Sequence, residues 1–155
     1  MVDAPFMLCA GEALTDMIHQ GDERWVSRVG GSTWNVARAL AVLGEPTAFA
    51  GAISRDRFGD ALWAASEAAG LDMRLLQRVD HAPLLAVVEG GEPPRYFFIG
   101  DDSADLHFDP SALPAGAFDG LRWAHFGGIS LAREPLAATL VALARTLKER
   151  GVSIS

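Results

Sequence analysis

The 155-residue sequence has a single cysteine, no surplus of basic residues and no long apolar run. One thiol cannot close a disulfide within the chain. Cys9 lies in the apolar stretch Phe6-Met7-Leu8-Cys9-Ala10, where it reads as a small buried hydrophobe in a reducing cytosol. Thirteen Lys and Arg against 20 Asp and Glu leave a net charge of -7. That balance repels phosphate backbones and anionic headgroups, so neither nucleic acid nor a membrane surface is expected as a partner. A membrane-spanning helix needs about 20 apolar residues, and no stretch approaches that length. Asp3 stands where a secretory signal would carry Lys or Arg. A soluble, cytoplasmic protein is expected.

Several chemical motifs are missing too. There is no Gly-x-x-x-x-Gly-Lys-Ser/Thr phosphate loop and no Gly-x-Gly-x-x-Gly following a strand, which removes Walker-type nucleotidases and dinucleotide-binding units. His19, His81, His107 and His125 show no His-Glu-x-x-His or comparable spacing, so no metal site is expected from the sequence. Without a Gly-x-Ser-x-Gly elbow, serine hydrolase chemistry has no support.

What is present is an alternation of strand-like and helix-like segments, which implies an α/β fold. Half the residues are hydrophobic, enough for a substantial core. Residues 6–10 form a short continuous apolar run ending at Gly11, as in a strand buried on both faces. Val36, Leu40 and Leu43 then recur at helical spacing, with Gly44 and Pro46 as the stop. Residues 47–53 read as a strand and residues 58–69 as a helix closing at Gly70. A third helix has Pro135 in its first turn, Leu136, Leu140, Leu143 and Leu147 on one face, and Gly151 beyond its end. Residues 122–126 read as a strand. Residues 15–29 are polar and lack helical spacing, while residues 84–88 and 95–99 read as a hairpin around Gly90-Gly91 and Pro93-Pro94. These two regions together predict a small sheet projecting from the core, in the position of a lid. Residues 152–155 open a further strand, so the chain is expected to be part of a longer domain.

The segment Gly30-Gly31-Ser32-Thr33-Trp34-Asn35-Val36-Ala37-Arg38-Ala39-Leu40-Ala41-Val42-Leu43-Gly44 carries the most specific chemistry. Paired glycines let backbone approach a ligand without a Cβ between them, and the helix that follows presents free N–H groups. Asn35 reads either as a donor and acceptor for a sugar hydroxyl or as an ordinary first-turn Asn. Asp16, in Gly11-Glu12-Ala13-Leu14-Thr15-Asp16, reads either as an acceptor for vicinal hydroxyls or as a solvated loop acid. Asp56 reads as a cap for the second helix.

These segments resemble, in order, the first signature of the ribokinase (phosphofructokinase B type) family and its opening pattern, above all in fructokinase-like members. Ala50-Gly51-Ala52-Ile53-Ser54-Arg55-Asp56-Arg57-Phe58-Gly59, Ala68-Ala69-Gly70-Leu71-Asp72, Arg95-Tyr96-Phe97-Phe98-Ile99 and His125-Phe126-Gly127-Gly128-Ile129-Ser130-Leu131 continue the resemblance, which spans residues 6–155. It implies a ribokinase-like three-layer α/β/α sandwich with a mostly parallel central sheet and a small β-sheet lid, its lid segments at about residues 12–29 and 82–100. Residues 1–155 would be the N-terminal part of one such domain, and the ATP-binding part would lie beyond them. The implied activity is ATP-dependent phosphorylation of a sugar hydroxyl. The implied substrate-binding residues are Asp16, Gly30, Gly31, Ser32 and Asn35, joined by Arg95 and Phe97; an exposed strand Arg and a lid-core aromatic are the alternatives for the last two. The catalytic Asp, in a second signature Asp-Thr-x-Gly-Ala-Gly-Asp, and the sites for ATP and Mg belong to the part that this chain does not contain. Trp34 replaces a residue that is more often small, and its indole is expected to narrow the sugar pocket. The acidic run Asp101-Asp102-Ser103-Ala104-Asp105 is expected to be a solvated loop. A homodimer through the lid is the expected assembly. A nucleoside or ribose kinase of the same family, or a non-catalytic sugar-binding module, are the alternative functions.

Overall fold

The computed structural model describes residues 7–155; Asp3 and Phe6, used above, lie outside them. In chain order the elements are β1 (Met7–Ala10), β2 (Leu14–His19), β3 (Trp25–Gly30), α1 (Ser32–Val42), β4 (Thr47–Ser54), α2 (Arg57–Ala68), β5 (Leu76–Val79), β6 (Leu85–Glu89), β7 (Arg95–Ile99), β8 (Trp123–Phe126), α3 (Leu136–Glu149) and β9 (Ser153–Ile154). They build two sheets, and short 3₁₀ turns join several of them.

The larger sheet has the order β5-β4-β1-β8-β9, and every pairing in it is parallel. Parallel strands need covering on both faces, and alternation along β1 and β4 meets that requirement. Leu8, Ala10, Ala48, Ala50 and Ala52 face α3, whose Leu136, Leu140, Leu143 and Leu147 are all buried against them. Cys9, Phe49 and Ile53 face the other way, against Trp34 and Ala37 of α1 and Leu62 of α2. The result is a three-layer α/β/α sandwich.

Local chemistry sets the helix ends. Asp56 caps α2, its Oδ1 accepting from the N–H groups of Phe58 (2.9 Å) and Gly59 (3.1 Å). Gly59 is required where it stands, because a Cβ there would lie 1.8 Å from the Ser54 carbonyl oxygen. Gly44, with φ of 92°, ends α1 in a Schellman arrangement: Glu45 N–H donates to Leu40 O and Gly44 N–H to Ala41 O.

Helix α1 forms where the spacing places it, but not on the face expected. Of the expected stripe only Leu40 packs, half-buried, against the core; Val36 is 37% exposed and Leu43 79% exposed, whereas Thr33, Trp34 and Ala37 are buried. A fully buried indole removes more apolar surface from water than the two aliphatic side chains left exposed would, so Trp34 sets the rotation of the helix. Its Nε1–H donates to Ser66 Oγ on α2 at 2.9 Å, which satisfies the one polar atom this burial would strand.

The second sheet has the order β3-β2-β6-β7. β2 pairs antiparallel with β3 and parallel with β6, and β6 pairs antiparallel with β7 as the expected hairpin. Residues 15–29, polar and without helical period, supply two strands of this sheet. No helix among the described residues is long and apolar enough to cross a membrane.

Candidate functional site

Between the second sheet and the N-terminus of α1 lies a cleft of about 530 Å³. Asp16 enters it from β2, Gly31, Ser32 and Asn35 from the start of α1, and Tyr96 and Phe98 from β7; Glu12 and Gly128 form part of its floor. Gly31 has φ of 117°, and a Cβ there would meet the Glu12 carbonyl oxygen at 2.6 Å, so this turn packs on the β1–β2 connection only as glycine. Gly30 does a related job, since a Cβ on it would stand 2.4 Å from Asp16 Oδ2.

Asp16 is half-buried, and among the described residues no group donates a hydrogen bond to its carboxylate. Burial raises its pKa above the ordinary aspartate value. Arg28 pairs with Asp16 in register across β2 and β3, but its Nη1 donates to Ser27 O at 3.2 Å and it does not line the cleft. A partly desolvated acceptor without a donor, in the same cleft as the exposed Asn35, is suited to a ligand rich in hydroxyl groups.

The acid that composition and spacing did not single out is Glu12. It is 1% exposed, and its carboxylate gathers two loops. Oε1 accepts from Ser32 N–H (3.0 Å) and Ser32 Oγ–H (2.8 Å), while Oε2 accepts from Ser130 N–H (3.3 Å) and from the Ser130 hydroxyl. Gly128, with φ of 69°, passes so close that a Cβ would lie 2.1 Å from Ser32 Oγ and 2.4 Å from Glu12 Oε1. Glu12 thus fastens the start of α1 to residues 128–130, which are remote in sequence. The sequence signals were Glu12 directly after the β1 glycine and the Gly127-Gly128 pair after β8.

Of the residues proposed from sequence, Asp16, Gly31, Ser32 and Asn35 converge on the cleft, and Gly30 lies directly behind Asp16. Arg95 and Phe97 are not brought there. Alternation along β7 puts them with Ile99 on the opposite face, while Tyr96 and Phe98 face Asp16. Trp34 does not touch the cleft either; its ring is wholly in the core. The acidic run after β7 is not a uniformly solvated loop: Asp105 is buried, accepting from Ser103 and, at 3.3 Å, from Arg133 Nε.

Residues 5–154 match the pfkB family carbohydrate kinase domain. The chain belongs to this family. Fructokinases of Klebsiella pneumoniae and Rhizobium leguminosarum bv. trifolii are 30% and 32% identical over 148 and 144 residues, covering 94% and 88% of this chain but 48% and 43% of their own lengths. The crystal structure of a Xylella fastidiosa fructokinase with bound ATP superposes with a TM-score of 0.88 at 29% identity, over 96% of this chain and 47% of that one. At 20% identity, a Halothermothrix orenii fructokinase shares the fold with a TM-score of 0.85. This pfkB chain spans about half the length of the curated relatives it matches.

The cleft of this pfkB chain does not fit a nucleotide triphosphate. No Lys or Arg among the described residues lines it, and the Ser32 N–H at the start of α1 is already engaged by the Glu12 carboxylate, which would repel a phosphate. Both Glu12 oxygens are committed to serines, leaving no carboxylate pair for Mg.

Proposed function

We propose that this chain is the acceptor-binding part of an ATP-dependent carbohydrate kinase, and that its cleft holds a free sugar of the fructose class. The observation that carries the reading is the half-buried, unpartnered Asp16 carboxylate in the cleft that Asn35 and the Gly31 turn also line. Asp16 accepts from sugar hydroxyls, Asn35 both donates and accepts, and Tyr96 and Phe98 cover the apolar face of the ring. The second sheet then acts as a lid, residues 1–155 being one part of a single ribokinase-like domain. The chain's own residues bind, orient and shield the acceptor. ATP is the phosphoryl donor, and its binding site and the base that takes the hydroxyl proton are supplied by residues outside those described.

The test is Asp16→Ala in the complete enzyme. Losing a hydrogen bond to a charged group costs about 1.5–3 kcal/mol, so the apparent sugar KM should rise by roughly 10- to 100-fold while the ATP KM stays near its original value. An unchanged sugar KM removes Asp16 from the site.

The outer face of the second sheet also supports the homodimer expected from the exposed lid hairpin. Trp25, Phe97 and Ile99 are exposed on it, and the edges of the sheet are β3 and β7. A second copy of the chain covers them in this proposal.

A further inference from the structure

Three groups from two segments of the chain meet at the base of the β6–β7 hairpin, on the far side of the hairpin strands from their connecting turn. His81 precedes β6, Asp102 follows β7, and His107 lies in the 3₁₀ turn at Ala104–His107. The imidazoles stack with centroids 3.4 Å apart and planes 14° apart. Both ring edges are aimed at one carboxylate: His107 Nε2 is 2.6 Å from Asp102 Oδ1, and His81 Nδ1 is 3.4 Å from Asp102 Oδ2. One ligand atom from each of the three lies within 4.8 Å of the others.

The backbone beneath them is held firmly. Ala104 N–H donates to Ala82 O at 2.8 Å, and Ala82 and Ser103 form a parallel bridge. Arg133 Nη2 donates to Gly100 O at 2.5 Å and to Ser103 Oγ at 2.9 Å, which ties this segment to the start of α3. The side chains themselves are open to solvent: His81 and His107 are about one-third exposed and Asp102 is 77% exposed. A rigid backbone carrying accessible imidazoles and a carboxylate can admit an ion without rearranging the fold.

We propose that His81, Asp102 and His107 form a binding site for a divalent transition-metal ion of the zinc class. Two imidazoles and a carboxylate suit Zn, Co or Ni and disfavour Mg and Ca, which prefer all-oxygen surroundings. An ion binds in the plane of an imidazole at about 2.0–2.1 Å, so ligation splays the stacked rings by rotation about their side-chain bonds, and water completes the coordination. The ion then joins the segment entering β6 to the segment leaving β7, closing the base of the hairpin. This is independent of the sugar cleft, to which none of the three residues contributes.

The test is calorimetric titration of the full chain with ZnCl₂, CoCl₂ and MgCl₂ in a non-chelating buffer near neutral pH. One saturable site is expected for zinc and for cobalt and none for magnesium. His81→Ala, Asp102→Asn and His107→Ala should each weaken zinc binding by at least about 10-fold, with unchanged far-UV circular dichroism; His107→Gln, which retains a polar side chain beside Asp102, covers the case in which the alanine variant unfolds. His19→Ala should bind zinc like the parent chain. Failure to saturate below about 1 mM zinc, a range far weaker than a three-ligand site should show, would overturn the proposal. So would equal binding of magnesium, or zinc binding that persists in the variants that fold.

Discussion

Asp16 is a carboxylate half withdrawn from water in a cleft that offers it no donor. Desolvation raises its pKa, so its ionised form is less favourable in the folded chain than in the unfolded one. For a raised carboxyl pKa the sign is definite: the favourable contribution of its proton is present below the unfolded value of 3.8 and is lost as pH rises through the folded value. Asp16→Asn should therefore leave the empty chain at least as stable as the parent at neutral pH, as read from thermal melts, although it binds sugar less well. Sugar affinity should fall with acidification, starting at a higher pH than an unperturbed aspartate would give, and this fall should be absent in the Asn variant. Glu12, a few residues earlier, shows why one acid is available to a ligand and the other is not: two serine hydroxyls and two N–H groups already engage it.

The elements show where pattern is informative and where it is degenerate. In α3 the four leucines expected on one face are all buried, with Ala137 among them, while the smaller Val141 stays 43% exposed, because no single large side chain competes with four leucines. In α1 an aliphatic stripe competes with one Trp, and the Trp prevails. Replacing Trp34 by Ala should cost about 3–5 kcal/mol, whereas Leu43→Ala should stay within about 0.5 kcal/mol; denaturant unfolding of the two variants measures the difference. Strand β7 is ambiguous in another way. Tyr96 and Phe98 lie on one face, Phe97 and Ile99 on the other, and either set looks like an inward face when the strand is read alone. Register with β6 decides: Ala86 stands opposite Phe98 and Val88 opposite Tyr96, on the side where Ala86 and Asp16 pair and line the cleft. For that reason Tyr96 and Phe98, and not Arg95 and Phe97, face the site.

At the scale of the whole molecule, Cys9 reports on the integrity of the sheet. It lies in β1 between β4 and β8, wholly buried, and burial pushes its thiol pKa up to about 12. The native chain should leave a thiol reagent unreacted at mildly alkaline pH, with modification proceeding only as fast as the chain unfolds; prompt labelling would mean that the central strand opens locally. The proposed homodimer is tested by light scattering of the complete protein, where Phe97→Asp on the outer face should shift the mass toward monomer without altering the sugar KM. A monomeric parent protein would rule that assembly out.

Sequence by itself determined the α/β class, the helix stops at Gly44 and Gly151, the cap at Asp56 and the cradle of Gly31 and Asn35. Each of these depends on interactions within a few residues or on a short glycine-bearing motif, and such interactions are written in local order. Tertiary structure alone decided which side of α1 and of β7 turns inward. It decided that Glu12 binds Ser32 and Ser130 at once, and that His81, Asp102 and His107 meet although their spacing matches no metal motif. Those outcomes depend on pairing and packing between segments separated by up to 118 positions, and side chains acquire such neighbours only when the two sheets and their covering helices have closed around them.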